Sequence, residues 1–224
     1  MFTPPNESWL SRLGDGYKRQ VWFKTFTIPA FMTVFFTGYF LLLNNPVFPM
    51  TTMPTLFVDD WIPFEPGALG FYVSLWIYVQ FPPLLIGERR ELVAFGVASA
   101  ALGLVGFTCF FFWPTAIPLL VSLDEAPPLF ANLLKVDASG NSCPSLHAAF
   151  AVFSALWIHR RLRRAAAPRL MLALNLCWCA GIVYSTLATK QHVAVDIIVG
   201  SALGALAALL YAKYEPRRAT ALTA

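Results

Sequence analysis

Two of the three histidines in this chain stand among residue types that could do acid–base or nucleophilic chemistry. His147 closes the run Cys143-Pro144-Ser145-Leu146-His147, and His192 lies four residues before Asp196 in the run STLATKQHVAVD, which begins at Ser185. On a helix, the four-residue spacing puts His192 and Asp196 on one face. A carboxylate beside an imidazole fixes its tautomer and stabilises positive charge on the ring. The other ring nitrogen is then free to attack an electrophile such as phosphorus. A second imidazole, His147, could protonate the departing oxygen, a contribution of roughly 10²–10⁴-fold. Phosphoryl groups also need hydrogen-bond donors and positive charge around them. Lys190, two residues before His192, and the Ser145 hydroxyl are candidates, as are the N-terminal ends of helices expected to start near Pro144 and beside His192.

Blander readings exist for each part. A lone histidine at the end of a span is more often an interfacial or packing residue. The His192–Asp196 pair alone could be a structural hydrogen bond inside the membrane. Together, at matching depths and beside a Pro-Ser turn and a lysine, they point to a site, because an ionisable residue at the edge of a span needs a reason to be there. His159 lies in a basic segment and is read as outside the site. The cysteines at 109, 143, 177 and 179 lack metal-ligand spacing. Cys109, Cys177 and Cys179 fall inside apolar spans and read as small packing residues; Cys143 precedes the first motif and reads as neither a catalytic thiol nor a disulfide partner. No metal site and no cofactor is expected.

The surrounding elements must be membrane helices. The chain has 224 residues, of which 58% are hydrophobic and only 12% charged. Soluble domains carry about 25% charged residues, so this chain has too few charges for a water-facing surface. Six stretches approach the roughly 20 apolar residues that a span requires: 25–44, 69–87, 92–113, 145–162, 168–188 and 193–212. Pro82 and Pro83 should kink or end the second. Gly200 and Gly204 form a GxxxG pair suited to close helix packing. The fold expected is an all-α bundle, with residues 24–213 as a six-helix transmembrane catalytic domain. Residues 1–23 form a cytoplasmic or interfacial helix, with Leu10, Leu13, Tyr17 and Val21 at near-helical spacing, and 214–224 a cytoplasmic tail. The first twenty residues do not read as a signal peptide.

Charge orients the bundle. With a cytoplasmic N-terminus, 14 of the 16 Lys and Arg residues fall on inner segments, leaving Lys135 and Lys190 outside. The basic balance is therefore a topology signal beside anionic headgroups, and no nucleic-acid partner is expected. His147 and His192 then begin the fourth and sixth spans at the same, non-cytoplasmic face.

The residues resemble a known family. Pro144-Ser145-Leu146-His147 resembles the PSxH motif of the type-2 phosphatidic acid phosphatase superfamily, and Ser185 to Asp196 its last motif, SRxxxxxHxxxD. The resemblance covers about residues 70–212 and matches that family's six-span architecture. It implies a lipid phosphatase or phosphotransferase with His192 as nucleophile, Asp196 as its partner, His147 as general acid and a phosphohistidine intermediate. Ser145 and Ser185 would help to bind a lipid phosphate. Two departures stand out. The motif arginine is Thr186 here, and the family's first motif, KxxxxxxRP, is absent from the loop after the third span. That loop holds Lys135 as its only cation. Lys190, and more remotely Lys135, could replace the missing arginines. So few cations suit a phosphodiester or a weakly charged lipid phosphate better than a monoester. The missing first motif and Pro-rich loop are similar to the inositol phosphorylceramide synthase branch, whose members move a phosphorylated headgroup between lipids. The identity of the lipid, the acceptor and the oligomeric state are left open. Two other classes compete: a haem-binding protein using the two histidines, and a transporter with a broken second span.

Overall fold

The computed structural model describes residues 9–118, 120 and 140–214. In chain order, with labels that count described elements only, these are α1 (Trp9–Lys18), α2 (Val21–Asn44), β1 (Thr51–Thr52), α3 (Phe57–Trp61), a 3₁₀ turn at Pro66–Ala68, α4 (Leu69–Tyr78), α5 (Phe81–Leu85), α6 (Arg89–Phe112), β2 (Thr115–Ala116), α7 (Leu146–Arg164), α8 (Arg169–Ala188) and α9 (Ala194–Tyr214). Residues 121–139, with Lys135, lie outside the description.

Among the described residues, five helical stretches are long and apolar enough to cross a membrane: α2, the run Pro66–Leu85, α6, α8 and α9. The protein is thus an integral membrane protein built mainly of helices. The count differs from the six expected because of α7. Arg160, Arg161, Arg163 and Arg164 crowd its C-terminal end and lower its hydropathy. Its position removes the need for a lipid-facing surface: α7 touches α4, α5, α6, α8 and α9, and Ala148, Ala149, Ala151 and Phe153 are completely buried. The second stretch is divided as its prolines demand. α4 stops at Tyr78, and α5 restarts at Phe81 with Pro82 and Pro83 in its first turn, where a missing N–H costs little.

The N-terminal stretch is helical, as its spacing requires. α1 packs against α5 and buries Leu13. The buried Lys24 ammonium ties the two together, donating to the carbonyls of Gly16 at 2.7 Å and Leu84 at 2.8 Å. Within the bundle, the Tyr78 hydroxyl donates to Asn175 Oδ1 at 2.7 Å, and the Asn175 amide donates to the Ala155 carbonyl at 3.1 Å. This chain of bonds links α4, α8 and α7. Stacking of Phe95 on Phe153, 5.2 Å between centroids, joins α6 to α7.

The closest packing is between α7 and α9. A Cβ added at Gly200 would stand 2.2 Å from the Ser145 carbonyl oxygen, and one at Gly204 2.2 Å from that of Ala149. Both clashes are with backbone, which cannot swing away. The GxxxG pair therefore lets α9 rest directly on the first turn of α7.

One element departs from an all-α reading. β1 and β2 form a two-residue parallel pair, Thr51 opposite Thr115 and Thr52 opposite Ala116. It straps the segment after α2 to the segment after α6. Sequence periodicity carries no signal for so short a pairing.

Gly200→Val and Gly204→Val are expected to destabilise the fold by about 1–3 kcal/mol each through overpacking. Val199→Ala, on the exposed neighbouring position, should change stability by less than about 0.5 kcal/mol. Thermal unfolding of the detergent-solubilised variants measures the contrast.

Candidate active site

The end of α8 and the start of α9 set His192 in place. α8 closes with paired bonds: Lys190 N–H donates to Leu187 O at 3.0 Å and Gln191 N–H to Thr186 O at 3.1 Å. This is the Schellman arrangement, which needs a left-handed residue after the cap. Lys190 supplies it, with φ of 53°. His192 N–H also reaches Thr186 O at 3.1 Å, so the tight turn delivers the histidine to one spot.

Asp196 then holds the ring. Its carboxylate lies 2.8 Å from His192 Nδ1 and also accepts the Val193 N–H. The carboxylate can only accept when ionised, so Nδ1 carries the proton and Nε2 is left with its lone pair. Asp196 is completely buried, while the His192 side chain keeps 12% of its surface. The same residue's main-chain carbonyl accepts the Ser145 N–H at 3.0 Å. Asp196 thus joins the two motifs, its side chain to His192 and its backbone to the turn before His147.

That turn is anchored from the other side by the buried Thr115. Its hydroxyl accepts the Cys143 N–H at 2.8 Å and its carbonyl the Ser142 N–H at 3.3 Å. Ser145 then caps α7, its hydroxyl accepting the Ala148 N–H at 3.2 Å. His147, in the first turn, stacks on Tyr72 at 4.2 Å and 19°, with the Trp76 edge 6.1 Å away. His147 Nε2 is buried without a hydrogen-bond partner. An unmet group of this kind costs about 1–3 kcal/mol, so it is a place where a ligand atom would be welcome. Both imidazoles line a single cavity of ≈ 430 Å³, within the usual range for small-molecule sites.

The expected substrate-binding residues are placed otherwise. Lys190 does not line this cavity. Its ammonium is held by the carbonyls of Asp59, at 2.6 Å, and Ile62, which binds the α3 segment to the α8–α9 turn. Ser145 and Ser185 are completely buried away from the cavity. Ser145 serves as a cap, and the Ser185 hydroxyl donates to Ile182 O at 2.6 Å. Thr186, at the family's arginine position, donates its hydroxyl to Val183 O. The start of α9, expected to offer free N–H groups, is occupied: Ala194 N–H donates to Asp59 Oδ1 at 2.8 Å. The start of α7 is capped likewise, the Ser145 hydroxyl accepting the Ala148 N–H and the Asp196 carbonyl the Ser145 N–H. Burial, with the Asp196 carboxylate adding to it, pushes the Cys143 thiol up to about 11, so it is not a thiolate at neutral pH. No group of three His, Cys, Asp or Glu side chains among the described residues is gathered as a metal site.

Two contributions were not legible beforehand. Asp59 caps α9, fastens Leu56 and lends its carbonyl to Lys190. The only sequence signal was a pair of adjacent carboxylates, Asp59-Asp60, in a loop. Tyr72 and Trp76, which flank His147, sit in an apolar run where any aromatic reads as lipid-facing.

The family model of the PAP2 superfamily matches residues 68–219. The chain belongs to that superfamily, the type-2 phosphatidic acid phosphatases, a class of phosphatase-type membrane enzymes with lipid-related chemistry. No curated protein and no solved structure matches it.

Asp59→Ala should lower stability by about 1–3 kcal/mol, because it leaves the buried Ala194 N–H without an acceptor. Thermal unfolding together with faster amide exchange at Ala194 would show this; unchanged melting and exchange would remove Asp59 from the site's framework.

Proposed function

We propose that this protein is a lipid phosphatase or phosphotransferase working through a phosphohistidine. The reading is carried by one observation: His192, already oriented by Asp196, shares a cavity with His147, whose Nε2 has no hydrogen-bond partner. His192 Nε2 attacks phosphorus, the N–P bond forms, and the P–O bond to the leaving group breaks. His147, entering as the imidazolium, gives its Nε2 proton to the departing oxygen and is left neutral. In the second half, His147 takes a proton from water or an alcohol as that oxygen attacks phosphorus, and the N–P bond breaks. Asp196 stays ionised throughout and stabilises the positive ring. Water as acceptor makes a phosphatase; a lipid or alcohol hydroxyl makes a transferase. Ser145, Ser185 and Lys190 act here by holding backbone in place.

The site lies at the opposite end of the bundle from Arg89, Arg90, Arg160, Arg161, Arg163, Arg164 and Lys213. By the positive-inside rule those residues face the cytoplasm. The site then opens to the outer leaflet, with α7 as a sixth, shielded crossing and α1 at the inner interface.

A specific observation favours headgroup transfer over monoester hydrolysis. Among the described residues, no Lys, Arg, Asp or Glu lines the cavity. A monoester carries nearly two negative charges, whereas a phosphodiester carries one and leaves less charge to neutralise.

His192→Ala should reduce turnover by at least about 10³-fold. His147→Ala should slow an alkyl phosphate ester by about 10²–10⁴-fold, and a nitrophenyl ester, whose leaving group needs no proton, far less. Phosphate release and headgroup exchange from phosphatidate and from a phosphodiester lipid are the measurements. Full turnover by His192→Ala would defeat the mechanism. Faster reaction of the phosphatidate would defeat the preference for diesters.

A further inference from the structure

The cavity does not end at the histidines. It continues between α2, α4, α6 and α7 past Phe35, Phe150 and Ser154 to Gly96, Val93 and Gln80 near the far end of the bundle. α2 forms its outer wall and touches the rest of the bundle through rings, with Phe35 5.2 Å from Phe107 and Phe36 5.0 Å from Trp76.

Its depth can be read from α6. A Cβ at Gly106 would press on the Leu146 side chain, so Gly106 is level with the start of α7 and with His147. Gly96 is ten residues away along the same helix, and Val93, which also lines the cavity, thirteen, about 15 and 20 Å at 1.5 Å per residue. That is at least half of the ~30 Å hydrocarbon core, the depth of one leaflet's chains.

Gly96 itself has no packing explanation. A glycine inside a helix costs about 1 kcal/mol relative to alanine, and close approach of a neighbour is the usual reason for one. At Gly96 nothing stands within 4 Å of an added Cβ, in contrast to Gly200, Gly204 and Gly106. The space it leaves open belongs to the cavity.

We infer that the cavity is a tunnel for one hydrocarbon chain of the substrate lipid, and that the open space at Gly96 is what lets a long chain reach its far end. This deepens the proposed reaction and rests on it for the identity of the headgroup. The headgroup sits between the histidines, and an acyl or alkyl chain of single-leaflet length runs down the aromatic wall past Gly96. A side chain at 96 blocks the way to the deep end and shortens the chain that fits.

The test uses the full-length purified protein and three non-hydrolysable probes, hexyl, dodecyl and hexadecyl phosphonate, with binding measured directly. Each methylene displaced from an apolar site weakens binding about fourfold. Gly96→Leu should therefore weaken hexadecyl phosphonate by at least about tenfold and leave hexyl phosphonate unchanged. Val97→Leu, on the exposed face of α6, should alter neither. Leucine is the better helix former, so Gly96→Leu is expected to fold. Ser99→Leu, one turn nearer the histidines on the same wall, provides a second truncation and should weaken dodecyl phosphonate as well. A hexadecyl-to-hexyl ratio unchanged in both variants overturns the tunnel. Binding needs no turnover, so a ratio that shifts in protein without lipid phosphate activity supports the tunnel and rejects the reaction.

Discussion

The contact on which the site depends is one of backbone against backbone. Gly200 and Gly204 bring α9 so close to the first turn of α7 that any side chain at either position would strike a carbonyl oxygen. Little hydrophobic driving force acts between helices inside a bilayer, and close packing of small residues takes its place. The approach also has a chemical result. It puts Asp196 within reach of the Ser145 N–H, so the carboxylate that orients His192 belongs to the residue that fixes the turn carrying His147. Two imidazoles 45 positions apart come to line one cavity through a pair of absent methyl groups.

Around this contact, the site end of the bundle is assembled from short non-helical pieces, each held by a buried polar residue. Thr115 fastens the turn before α7, Asp59 caps α9, and Lys190 fastens α3 to the α8–α9 turn. In a low-dielectric surrounding, such bonds are strong when made and costly when broken. Their use as scaffold explains why the site has so few charges to spare for a ligand. Lys190 is the clearest example: a cation two residues from His192, yet spent on two carbonyls. The cavity then offers chiefly imidazole nitrogens, and the singly charged phosphoryl group proposed above is the one that asks least of them.

Much of this was readable before any coordinates, and for identifiable reasons. The His192–Asp196 spacing of four picks out the pair, although His192 stands two residues before α9 and Asp196 reaches back to it from the first turn; the GxxxG pair reports close packing. Apolar runs of about 20 residues announce spans whatever else surrounds them. The double proline announced the interruption between α4 and α5. What escaped the sequence was long-range partnering. Nothing in the order of residues says that Lys190 meets the carbonyls of Asp59 and Ile62, more than a hundred positions earlier, or that Thr51 pairs with Thr115. Counting spans by hydropathy also falters at α7, because a helix enclosed by its neighbours is freed from the requirement to be greasy and can end in four arginines. The residues expected to grip phosphate, Ser145, Ser185 and Lys190, were chosen for donor chemistry alone. In the fold, each of the three makes its hydrogen bonds to backbone.

The account stands on the two imidazoles acting on one phosphoryl group, and a structure determined with vanadate examines that most directly. Vanadium should be bonded to His192 Nε2, with one of its oxygens within hydrogen-bonding distance of His147 Nε2 and the anion over the first turn of α7. Vanadate bound at neither ring, or at one ring with the other turned into a separate chamber, would contradict it.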